Sequence, residues 1–151
     1  MPPLNRSAKM KIWPFHRKKI QPDILLGSTL AQRRSERNLA ANGQEQYCLP
    51  TARPSFVCCA VELLKKHHDF QLTGPIANGG NEVVAHVRRG DITLYVAWDC
   101  WCGFDILSLS DAADSVVLEL AAYFDGIKYE TRFAKHFDDN QEAEQDAPSN
   151  R

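Results

Sequence analysis

Between residues 81 and 133 the polarity of the chain changes period from two to 3.6 and back again, and few folds accommodate that order. Residues 81–87 and 91–98 read as two strands on either side of Arg88-Arg89-Gly90, which predicts a β-hairpin. In the second of these strands Ile92, Leu94, Val96 and Trp98 share one face, while Thr93, Tyr95 and Ala97 share the other. Residues 104–109 predict a third strand, with 99–103 as a connection or bulge. Ser110 or Asp111 then caps a helix whose stripe is Val117, Leu120, Ala121 and Phe124. Asp125-Gly126 is read as its stop. Beyond it Ile127, Tyr129, Thr131 and Phe133 alternate with Lys128, Glu130 and Arg132, which predicts a last strand.

Upstream, residues 54–68 predict another helix. Pro54 suits its first turn, and Val57, Ala60, Val61 and Leu64 repeat at helical spacing. Residues 69–73 alternate as a short strand, and the glycine-rich stretch 75–80 is a loop. Strands with one wet face imply an antiparallel or mixed sheet with helices on the other side. The expected fold is α+β: four to five strands with two helices packed on one face.

Charge divides the chain into three. Residues 1–53 hold ten Lys/Arg and three Asp/Glu, a net of +7. Residues 54–137 hold seven and eleven, and residues 138–151 one and five, a net of −4 each. The division reads as a basic, largely flexible extension over 1–53 with a short helix at 23–42, a globular domain over 54–137, and a disordered acidic tail over 138–151. Met10 is an alternative start, because the nine residues before it carry no pattern. No apolar run approaches the ~18 residues of a membrane span, and the basic N-terminus lacks the apolar core of a secretion signal. Five cysteines, an odd number with Cys58 and Cys59 adjacent, do not make a secreted disulfide framework. The expectation from these features is a cytoplasmic protein with reduced, mostly buried thiols.

Candidate sites are few. Trp98, Trp101 and Phe104 interleave with Asp99 and Asp105, an aromatic and acidic patch of the kind that anchors protein interfaces. Trp98 is in phase with Val96 and is assigned to the core; Trp101 is out of phase and is the expected exposed anchor. Trp101, Asp99, Phe104 and Asp105 are therefore the protein-binding candidates. Cys100 and Cys102 are the metal candidates, but C-x-C is not the spacing of a zinc knuckle, and no metal or other cofactor is expected. A catalytic thiol at Cys48, Cys100 or Cys102 with His86 or His136 has no local motif in support. Arg17, Lys18, Lys19, Arg33, Arg34 and Arg37 form two basic clusters suited to phosphate contacts, without a recognised nucleic-acid signature. The preferred reading is a small intracellular protein-binding module, of the inhibitor or immunity-protein kind, that occupies the surface of a basic partner. That comparison rests on size and charge. The alternative is a nucleic-acid-associated accessory protein using the basic arm.

Overall fold

The computed structural model describes residues 33–138, to which all structural statements below refer. Arg17, Lys18, Lys19, the first half of the helix expected at 23–42 and nearly all of the acidic tail lie outside them. Seven strands form one sheet: β1 (Glu36–Leu39), β2 (Glu45–Leu49), β3 (Gln71–Leu72), β4 (Ala77–Asn78), β5 (Glu82–Arg89), β6 (Ile92–Asp99) and β7 (Gly103–Ser108). The order is β1-β2-β7-β6-β5-β3, with β4 also paired to β5, and every pairing is antiparallel. Helices α1 (Phe56–His68) and α2 (Asp111–Ile127) pack on one face, α1 against β5 and β6 and α2 against β2, β6 and β7.

The α+β class, the two helices and the β5–β6–β7 meander agree with the sequence pattern. Leu94 and Val96 of β6 are fully buried, as their alternation requires. The sheet, however, is larger than four to five strands. The extra hairpin, β1–β2, occupies sequence assigned to the end of a helix and a linker. Asn42-Gly43, where the helix expected at 23–42 would end, is a hairpin loop. Ala40 N donates to Gln44 O at 2.8 Å, Gly43 N donates to Ala40 O at 2.8 Å, and Gly43 takes φ +81°. Every residue of β1 is exposed, so no apolar alternation marks it.

The predicted last strand does not form. Helix α2 runs through Gly126 to Ile127, and Thr131–His136 is a 3-10 helix. From Ile127 to Glu130 burial is the reverse of the expected face: Lys128 and Glu130 are buried, while Ile127 and Tyr129 are half-exposed. Long-range polar contacts account for it. Lys128 O and Glu130 O accept from Arg33 Nη1 at 2.8 and 3.3 Å. The Arg33 guanidinium also lies 4.7 Å from the Phe137 ring centroid. Asp125 Oδ1 receives Ser35 Oγ at 2.6 Å, Tyr47 Oη at 2.8 Å and Lys128 Nζ at 2.9 Å. Burial opposes the ionisation of Asp125, but these donors outweigh it and hold its carboxyl below the usual range.

Phe56, at the start of α1, is fully buried amid other rings. Phe104 meets it edge-on with centroids 4.8 Å apart, and Phe137, Phe124 and Phe133 follow at 5.2, 6.0 and 6.2 Å. This cluster joins the sheet, both helices and the C-terminal segment.

A rigid turn and cleft beside Trp101

The β6–β7 loop is a three-residue hairpin connection. Asp99 pairs with Gly103, and residues 100–102 form the tip. Asp99 Oδ1 accepts from Trp101 N at 2.8 Å and Cys102 N at 2.7 Å, which closes the loop from within. Gly103 completes it with φ +77°. A Cβ there would stand 2.5 Å from Pro50 O and 2.6 Å from Leu49 O, so only glycine lets the loop seat against residues 49–50.

Facing the turn is the segment 50–54, which is pinned from both sides. Trp98 Nε1 donates to Ala52 O at 2.8 Å. Arg53 N donates to His136 O and Asp138 N to Thr51 O, both at 2.7 Å. Ser55 Oγ lies 2.8 Å from His136 Nδ1, tying the start of α1 to the same C-terminal segment. Between the two segments opens a cleft of about 490 Å³, walled by residues 50–54 on one side and by Trp98–Trp101 and Gly103 on the other, with Asp138. The volume falls within the range of small-ligand and side-chain pockets.

Trp101 is 85 % exposed and lines this cleft, as the phase argument expects. Asp99 accompanies it. The other two protein-binding candidates do not. Phe104 is fully buried in the aromatic cluster, because it lies opposite Leu49 and Trp98 on the core face of the sheet. Its phase with Ile106 already carried that signal. Asp105, the next residue along the strand, points to the opposite face and is itself only 6 % exposed. Its Oδ2 accepts from Gln46 Nε2 at 2.8 Å.

Burial pushes the Asp105 carboxyl up to about 6, against the hydrogen bond from Gln46 and with help from the charge of Asp99. The folded carboxyl thus holds its proton to higher pH than the unfolded one. Its contribution to stability is greatest below about pH 4 and falls as pH rises through the window to about pH 6. Two pK units are worth at most about 3 kcal/mol. Asp105→Asn is expected to match the parent near pH 4 and to exceed it by about 1–3 kcal/mol at about pH 8, measured by urea denaturation. Equal gains at both pH values would contradict the assignment.

The cysteines differ from the expectation of mostly buried thiols. Cys48 is buried and Cys59 partly so, whereas Cys58, Cys100 and Cys102 are exposed, and all five are free. Cys100 and Cys102 sit in the hairpin loop. Burial, then the Asp105 charge, pushes Cys48 up to about 12, and burial with Asp99 and Asp105 raises Cys102. Both thiols are thereby made less nucleophilic at neutral pH. Among the described residues no three Cys, His, Asp or Glu side chains gather to hold a metal ion.

Of the basic candidates, Arg33 is fully buried beneath Lys128, Glu130 and Phe137, so it does not present a phosphate contact. Arg34 and Arg37 are exposed at the β1 end of the sheet. Among the described residues no helix is long and apolar enough to cross a membrane.

Sequence reasoning missed most of the opposite wall of the cleft, residues 50–53, by reading it as part of the flexible extension. Pro50 and Pro54, four residues apart and flanking the start of a helix, were the available signal of a stiff segment. No family model matches the chain, and comparison with curated proteins and with solved structures finds no match.

Proposed function

We propose that this protein is a small protein-binding module of the inhibitor or immunity-protein kind, which works by occupying the surface of a basic partner with the cleft beside the β6–β7 turn. The observation that carries this reading is Trp101: a large aromatic side chain left 85 % exposed on a loop whose backbone is fixed by Asp99 and Gly103. Exposing an indole forgoes the stabilisation that burial would give, and holding it on a rigid turn lowers the entropy lost on binding. Tryptophan is also prominent among residues that dominate interface energetics. The net charge of −4 over residues 54–137 favours a positively charged partner, chiefly by steering encounter.

The test is affinity capture with the full chain, followed by titration of the purified partner. Trp101→Ala is expected to weaken binding by roughly 30-fold or more, about 2 kcal/mol, while unfolding free energy changes by less than about 0.5 kcal/mol. Added salt should slow association more than it speeds dissociation. A partner held with undiminished affinity by the alanine variant would overturn the reading.

A further inference from the structure

Most of the backbone N–H groups lining the cleft are already engaged, and this restricts what it can hold. Pro50 and Pro54 have no N–H. The neighbouring backbone donors are already engaged: Ala52 N with Leu49 O at 3.2 Å, Cys100 N with Asn81 O at 3.1 Å, and Arg53 N with His136 O. Trp101 N and Cys102 N are taken by Asp99 Oδ1, and the Trp98 indole N–H by Ala52 O. The positive end of a backbone nest, which anion sites use, is absent from the lining described here. The side chains offer instead the exposed indole of Trp101, two proline rings, the carboxylates of Asp99 and Asp138, and one cation, Arg53.

We infer that the cleft receives an arginine side chain of the partner, its guanidinium stacked on the Trp101 indole and donating to Asp99 and Asp138. This inference rests on the binding role proposed above and names the chemistry of the contact. A guanidinium is flat, weakly hydrated and carries five N–H donors, so it satisfies an aromatic face and carboxylates at once. Lysine is a compact, strongly hydrated charge and stacks less well. Arg53 also lines the cleft, and its charge opposes a second cation. The two carboxylates leave the lining at a net −1, and removing Arg53's charge should strengthen the interaction.

The experiment titrates the full chain with arginine amide, lysine amide and the uncharged near-isostere citrulline amide. It follows the Trp101 indole N–H and Gly103 amide signals by NMR. Arginine amide should shift both saturably, with a dissociation constant roughly in the millimolar range expected for one side chain. Lysine amide should bind roughly threefold or more weakly, and citrulline amide should produce no saturable shift. Asp138→Asn should weaken arginine amide about threefold and Arg53→Gln should tighten it about twofold, each a change typical of one exposed charge. Inorganic phosphate should leave both signals in place. The proposal is overturned if citrulline amide binds as well as arginine amide, if phosphate binds instead, or if arginine amide fails to saturate. The two readings can fail separately. If Trp101→Ala abolishes partner binding but arginine amide does not bind, the interface stands and the arginine does not. If arginine amide binds but the partner ignores Trp101→Ala, the converse holds.

Discussion

Gly103→Ala is expected to destabilise the protein by about 2–5 kcal/mol, a large share of the 5–15 kcal/mol typical of a whole domain. Two costs add. An L-residue at φ +77° carries backbone strain on the order of 1–2 kcal/mol. The new methyl would also stand 2.5 Å from Pro50 O, and its obstacle is backbone rather than a flexible side chain that could swing away. Gly43 supplies the control. It has a similar φ of +81° but nothing within 4 Å of the added carbon, so Gly43→Ala should lose about 1–2 kcal/mol from strain alone. The difference between the two variants, read from urea denaturation, isolates the close approach of the hairpin tip to residues 49–50. Equal losses would mean that this approach does not exist in solution. Because Pro50 is also a wall of the cleft, Gly103→Ala should weaken the partner as well, whereas Gly43→Ala should not.

Phe56→Ala is expected to cost about 3–5 kcal/mol, the usual range for emptying a buried aromatic site. Its ring is fully buried and meets Phe104 from the sheet, Phe124 from α2, and Phe133 and Phe137 from the C-terminal segment. The damage should be uneven. The segment 131–138 is held to the body by this cluster and by a few hydrogen bonds, among them those to Arg53 and Thr51. Hydrogen exchange should therefore accelerate first at Arg53 N and Asp138 N, before the amides paired between β5 and β6. Uniform acceleration across the sheet, or a loss below about 1 kcal/mol, would show that Phe56 does not hold the segment in place.

The parts of the fold legible in the sequence are those where side-chain phase and burial coincide. The meander from Glu82 to Ser108 and both helices follow this rule. Two places break it. In β1 every side chain faces water, so its strand character lies wholly in backbone pairing with β2, which leaves no pattern in the residues. From Ile127 to Phe133 a clean alternation exists but is not used. Arg33, 95 residues upstream, claims the carbonyl of Lys128, and buried polar contacts set the local conformation instead. A local reading cannot see such a partner.

The site shows the same division. Trp101 was identifiable because it falls out of phase with the strand before it, and Asp99 came with it as an acid interleaved with the aromatic residues. Phe104 and Asp105 were assigned to the same patch by proximity in sequence, although successive strand residues point to opposite faces. One went to the core and the other to the far side of the sheet. The wall formed by residues 50–54 depends on contacts with Trp98, His136 and Asp138, all more than 40 positions away, and no spacing rule foreshadows it.

The strand order has a kinetic corollary. The first hairpin, β1–β2, adjoins β7 and not the strands that follow it in the chain. During synthesis it emerges early but has no neighbour to join until residues 103–108 have been made. The buried guanidinium of Arg33 waits longer still, for Lys128 and Glu130. Such distant closures are slow, because loop entropy is lost before any contact repays it. During synthesis the β1–β2 ribbon thus lacks its sheet neighbour until β7 is made, and that interval is when it is most exposed to wrong strand partners.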